Sequence, residues 1–131
     1  MRIGDIHTEK IKITAEKIQQ FGTFSEDFNP IHFDDTAAQA HGFPRRIAHG
    51  MASAAFFSKI IAQSFPGPGS VYLGQTLKFS APVFIDETLT FKLEVIAQKD
   101  GKPIFTLKTE AYGEDQTLKI SGEAVIKSAS H

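Results

Sequence analysis

After Ser70 the hydrophobic pattern changes to a period of two and stays there, and no other feature of the chain limits its fold as much. In "TLTFKLEVIA" (residues 88–97), Phe91, Leu93 and Val95 face one way while Lys92 and Glu94 face the other, the pattern of a half-buried strand. Asp100-Gly101 marks a tight hairpin, and "PIFTLKTEAY" (103–112) returns. Gly113 to Gln116 turns again, and "TLKISGEAVIK" (117–127) completes a three-stranded antiparallel meander. A sheet with one apolar face needs a second layer to cover it.

That layer lies upstream. His49 to Ser64, "HGMASAAFFSKIIAQS", has Lys59 as its one charged residue, and its apolar residues fall on nearly every face. This is the pattern of a helix buried all round. "FPGPGS" (65–70) stops it. Nearer the N-terminus, "EKIKIT" (9–14) alternates as a short strand, and Thr14 caps a helix, "AEKIQQFGTF", that presents Ile18 and Phe21 on one side. Asn29 precedes a proline and is pushed toward extended geometry, so this helix must stop before Pro30. Asp34 or Asp35 then caps a short helix, "TAAQA" (36–40), which Gly42 can end.

The economical packing is an α+β fold, one long central helix wrapped by a curved antiparallel β-sheet, in a single domain over residues 1–131. A sheet curled over one helix leaves strand edges and apolar surface open, so a homodimer or larger homo-oligomer is expected.

Several function classes drop out. The formal net charge of −1 argues against a general nucleic-acid binder. The absence of cysteine removes disulfides, thiolate metal sites and a cysteine nucleophile, and suits a reducing, cytoplasmic location. "MRIGDIHTEK" lacks the apolar region of a secretion signal, and no run approaches the roughly 18 apolar residues of a membrane helix. Phenylalanine is abundant, 12 residues against 2 tyrosines, and most of these rings are expected in the core, with some free to line an apolar tunnel.

Some motifs fail on inspection. "GSVYLGQT" (69–76) has the glycine spacing of a phosphate loop, but Gln75 stands where lysine is needed, and "LKFSAPV" (77–83) follows as strand rather than helix. No G-x-S-x-G occurs, so a serine hydrolase has no nucleophile elbow. His32, Asp34, Asp35, His41 and His49 match no metal-ligand spacing, and no metal is expected. Arg45-Arg46 reads as solvated surface rather than a phosphate site.

"SEDFNPIH" (25–32) survives. An acid five residues from a histidine, across Asn-Pro, sits in a turn that can bring both side chains to one point. Asp27 and His32 can then hold one water, the carboxylate taking its proton and the imidazole positioning its oxygen. Asn29 can fix the turn by an Asx hydrogen bond or orient a substrate. The plainer alternative makes Asp27 a turn cap and His32 a satisfied, half-buried ring. Gly50, which costs roughly 1 kcal/mol against alanine inside a helix, makes sense at its first turn. There an unobstructed N–H, aided by the helix dipole, can donate to an oxygen gaining negative charge. Tight packing at the helix start is the structural alternative. Ser53, one turn on, can orient Asp27 or a ligand, or bond back to its own helix.

"D-F-N-P-I-H-F-D" followed by "A-H-G-M", with the later phrase "QTLKFSAPVFIDETL", resembles the MaoC-like family of (R)-specific enoyl-CoA hydratases and hydroxyacyl dehydratases. The resemblance covers roughly residues 10–126 and implies the hot-dog fold. It implies a hydro-lyase that adds water to trans-2-enoyl thioesters of CoA or acyl carrier protein. Asp27 and His32 match the catalytic pair, Gly50 the amide that binds the thioester oxygen, and Asn29 and Ser53 supporting positions. No cofactor is implied, because the thioester itself activates the double bond. Two positions depart from the family pattern. Glu26 stands where glycine is usual before the acid, and Ile85-Asp86-Glu87 replaces a Gly-Asp turn. A thioesterase on the same fold and a non-catalytic acyl-binding module are the rival functions.

Overall fold

The computed structural model describes residues 1–129, so the last two residues of the domain expected over 1–131 lie outside the described residues. Three strands follow one another as the period-two pattern requires: β4 (Thr88–Gln98), β5 (Ile104–Tyr112) and β6 (Leu118–Lys127). The chain enters through β1 (Ile6–Lys12), α1 (Ala15–Ser25), a single 3-10 turn (Pro30–His32), α2 (Asp35–Ala40), α3 (Gly50–Gln63), β2 (Val71–Gln75) and β3 (Lys78–Phe79).

One six-stranded sheet has the order β1-β4-β5-β6-β2, with β3 also on β6, and every pairing is antiparallel. Gly101 takes a φ of 68° in the first hairpin, which a residue without Cβ adopts at no steric cost. Gly122 on β6 serves a different need. A Cβ there would lie 1.8 Å from the carbonyl oxygen of Thr76, where the chain passes from β2 to β3 along the same strand. That crossing delivers Phe79 to the end of the sheet nearest α3.

On β4, Leu89, Phe91, Leu93 and Val95 are buried, alternating with half-buried Thr, Lys and Glu. Phe57 of α3 meets Phe91 edge to face at 5.3 Å. Phe57, Ile60 and Ile61 are sealed against this face with Phe105, Leu107, Ile120 and Ile126. One long helix on the apolar face of an antiparallel sheet is the hot-dog arrangement that the resemblance implies.

Three expectations shift. The first strand begins at Ile6 and ends at Lys12, before Thr14, because the Thr14 side chain accepts from the Lys17 N–H to cap α1. The segment 77–83 is strand only at Lys78–Phe79; Pro82 has no N–H to continue a ladder. Helix α3 buries one face, not all of them: Ala52, Ser53, Ala54, Phe57, Ile60 and Ile61 are buried, while Met51, Ala55, Ser58, Lys59 and Ala62 are exposed. Small side chains make a helix read as apolar without requiring that it be enclosed.

Candidate active site

The site is assembled where α1 ends and α3 begins. Helix α1 stops at Glu26, whose φ of 63° is left-handed and whose N–H bonds back to the Gly22 carbonyl. This is the position where glycine is usual, and the backbone shows why: a side chain there costs conformational energy. The chain then makes two nested Asx turns. Asp27 Oδ1 accepts from the Asn29 N–H at 3.2 Å, and Asn29 Oδ1 accepts from the Ile31 N–H at 3.4 Å. Asn29 thus shapes the turn and does not line the cleft beside it. Pro30 and Ile31 carry His32 inward on the 3-10 turn.

His32 is 7% exposed, and its Nδ1 bonds to the Ile47 carbonyl at 2.8 Å. A carbonyl only accepts, so Nδ1 holds the proton and Nε2 presents a lone pair. Burial lowers the pKa of His32. The hydrogen bond to Ile47 opposes that shift, neighbouring His49 adds to it, and Asp27 opposes it. The net shift favours the neutral ring.

Gly50 is the first residue of α3. Its N–H has no acceptor within the helix, as for any first-turn amide, and Gly50 lines the cleft at the N-terminal end of α3. A cleft of about 500 Å³ has Asp27, His32, His49 and Gly50 along one side. Phe43, Met51, Phe79, Pro82, Val83 and Ile120 are among its apolar walls. Of the 12 phenylalanines, Phe43 and Phe79 face this cleft, whereas Phe57, Phe91 and Phe105 fill the core. Ser53 is fully buried and does not line the cleft, and its Oγ has no hydrogen-bond partner among the described residues.

His49 is the residue whose place the sequence did not disclose. It is 2% exposed, its Nε2 donates to the Asp27 carbonyl at 2.9 Å, and its ring lies over that of His32 with centroids 3.9 Å apart. The available signal was a histidine set immediately before the helix-opening glycine. One carboxylate oxygen of Asp27 and one nitrogen each of His32 and His49 lie within 4.8 Å of one another. Among the described residues this is the one three-residue His/Asp/Glu grouping with the compactness of a metal site. The other metal candidates stand apart: Asp34 caps α2 through the Thr36 N–H, Asp35 accepts from the Arg46 N–H, and His41 is exposed at the end of α2.

The second departure from the family pattern is more than a turn. Glu87 accepts from the Phe84 and Glu114 N–H groups and lies 3.7 Å from Lys119 Nζ, with both side chains buried. Lys119 also donates to the Pro82 carbonyl at 2.8 Å, tying this pair to the wall of the cleft.

Residues 5–116 match the family described as MaoC like domain. An (R)-specific enoyl-CoA hydratase of Aeromonas caviae is 44% identical over 113 residues, 86% of this chain and 84% of the relative. A mitochondrial 3-hydroxyacyl-[acyl-carrier-protein] dehydratase of Arabidopsis thaliana is 33% identical over 127 residues, 95% of this chain and 75% of the relative. Among solved structures, the (R)-hydratase from A. caviae involved in PHA biosynthesis superposes with a TM-score of 0.94 at 40% identity, covering 97% of this chain and 96% of that one. An unliganded R-hydratase from Pseudomonas aeruginosa superposes at 0.93 with 36% identity, covering 100% and 84%.

Proposed function

The chain belongs to the MaoC-like family, and from that premise we propose that it adds water reversibly to trans-2-enoyl-CoA thioesters to give (3R)-3-hydroxyacyl-CoA, with Asp27 and His32 activating the water. The reverse reaction is dehydration, and the enzyme is a lyase. The observation that carries the roles is the spacing of Asp27 and His32. Their polar atoms lie within 4.8 Å at the edge of an apolar cleft that Gly50 also lines. Two hydrogen bonds of about 2.8 Å to one oxygen span up to roughly 5.6 Å, so one water fits between the two side chains.

The thioester carbonyl oxygen lies on the Gly50 N–H. The water gives one hydrogen bond to the Asp27 carboxylate and the other to the Nε2 lone pair of His32, which leaves an oxygen lone pair for C3. As the C–O bond forms, Asp27 takes a proton and the double-bond electrons move through C2 to the thioester oxygen. There the helix N-terminus stabilises the enolate. Return of the proton to C2 completes the addition, and the enzyme is left unchanged.

Acyl carrier protein is the alternative carrier, favoured by the Arabidopsis relative. We further propose a single-domain homodimer or higher homo-oligomer, because Val71, Tyr72 and Leu73 expose apolar surface on the edge strand β2. Among the described residues no helix is long and apolar enough to cross a membrane, and the cysteine-free chain suits the cytoplasm, the location proposed here. Crotonyl-CoA tests the reading: enoyl absorbance should fall with no free thiol released. Stoichiometric thiol would instead make the protein a thioesterase, and binding without turnover a silent acyl-binding module.

A further inference from the structure

We propose that His49 is a positioning residue that holds both members of the water-activating pair from behind, an inference that rests on the roles given to Asp27 and His32. It reaches them by two separate contacts. Its Nε2–H donates to the Asp27 main-chain carbonyl across 22 positions of sequence. The other hydrogen bonds of residues 25–29 all close within four residues: Ser25 Oγ to the Phe21 carbonyl, the Glu26 N–H to the Gly22 carbonyl, the Asp27 N–H to Ser25 Oγ, and the Asx turns. Local bonds shape this loop but do not anchor it to the rest of the molecule. The bond from His49 joins it to the start of α3, beside the Gly50 amide. It therefore sets how far the carboxylate stands from the oxyanion site.

The second contact is through the ring. The His49 imidazole lies over that of His32, the planes 31° apart, and Phe21 and Phe33 enclose it at 4.9 and 5.6 Å. A ring packed this way prevents His32 from swinging about its bond to Ile47, so Nε2 stays aimed at the water. Asp27, from the loop after α1, and His49, from the start of α3, are the titratable groups that bear on His32. A positive charge on His49 repels one on His32, which favours the neutral His32 that can accept a hydrogen bond. Donation from Nε2 leaves His49 Nδ1 as a buried nitrogen without a partner. A residue retained only for packing would not need to carry that unsatisfied atom.

Two substitutions separate the contacts. His49→Gln keeps an amide N–H near the position of Nε2 and loses the ring. His49→Phe keeps the ring and loses the donor. Each should fold by circular dichroism and lose about 10- to 100-fold in kcat for crotonyl-CoA hydration, with KM within about threefold, because misplacement by about 1 Å costs up to 100-fold. In both, the acid limb of kcat/KM should move to higher pH, since His49 no longer opposes the charging of His32. A purely structural role would lower the folded fraction and leave kcat per folded enzyme and the acid limb unmoved, and that result overturns the proposal. Imidazole 15N spectra of the unmodified protein serve if neither variant folds. In the neutral rings His49 should hold its proton on Nε2 and His32 on Nδ1, and a neutral His49 with its proton on Nδ1 or averaging between tautomers overturns the proposal. Asp27→Asn is the control. If it hydrates normally, the assignment of the base falls. If it is inactive while both folded His49 variants match the parent, the positioning inference alone falls.

Discussion

A Cβ placed on Gly50 would lie 2.8 Å from Cε1 and 2.9 Å from Cδ1 of Phe79, so this aromatic side chain of β3 rests directly on the first residue of α3. Phe79 is 48% exposed and can yield. Glycine at this position leaves room for that contact.

Gly50→Val keeps the backbone N–H but puts a branched side chain in front of it, and should reduce hydration of crotonyl-CoA by about 100- to 1,000-fold, as blocking an oxyanion donor is expected to do. The melting temperature should fall by only a few degrees. Phe79→Ala in the same background removes the clash and should restore stability without restoring turnover. Full recovery of rate would mean that the clash with Phe79 explains the whole effect and that the amide binds no oxyanion.

Asp27→Asn keeps the side-chain oxygen that accepts from the Asn29 N–H, so the nested turns and the fold should persist. The lost proton acceptor should cost about 100- to 10,000-fold in rate. His32→Gln should behave similarly, and the double variant should be little worse than either single one, because both groups are proposed to act on one water. Steady-state kinetics with circular dichroism check this, and unfolding of Asp27→Asn would restore the turn-cap role.

The pKa of His32 lies below the ordinary value of 6.5, chiefly through burial. The role proposed for His32 needs the neutral ring, so kcat/KM should be level near pH 7 and fall only below 6.5. Stability follows the same sign. The unfolded chain binds the proton first, so the contribution of His32 is complete above 6.5 and is lost as pH falls from there toward the depressed value. A pH profile whose acid limb lies above 7 would contradict the neutral, buried ring.

Glu26 holds a left-handed backbone at the end of α1. Glu26→Gly should stabilise the protein by about 1 kcal/mol, while Glu26→Ala, which keeps the strain, should not. Denaturant melts of the three proteins decide it, and equal gains from both variants would assign the effect to the carboxylate rather than to the backbone.

Much of the fold was legible because its signals are short-range. Thr14 caps α1 through a residue three positions on, Asp100-Gly101 turns the first hairpin, and alternation along 88–127 yields the three-strand meander. The extent of burial around α3 was not legible. Ala55, Ser58 and Ala62 are as compatible with solvent as with a core, and their exposure depends on what the rest of the chain leaves uncovered.

The same division runs through the site. The turn that carries Asp27, Asn29 and His32 was legible in the sequence, since the bonds that shape it, the two Asx bonds and that from the His32 N–H to the Asn29 carbonyl, close over two or three residues. Only the tertiary structure decided that His49 stacks on His32, that the Ile47 carbonyl selects the His32 tautomer, and that Glu87 finds Lys119 beneath the wall of the cleft. These partners are 17, 15 and 32 positions apart. Side-chain chemistry within a few residues sets a local turn, whereas contacts at such separations form only when packing of the whole core brings the segments together and makes good the entropy of closing the chain between them.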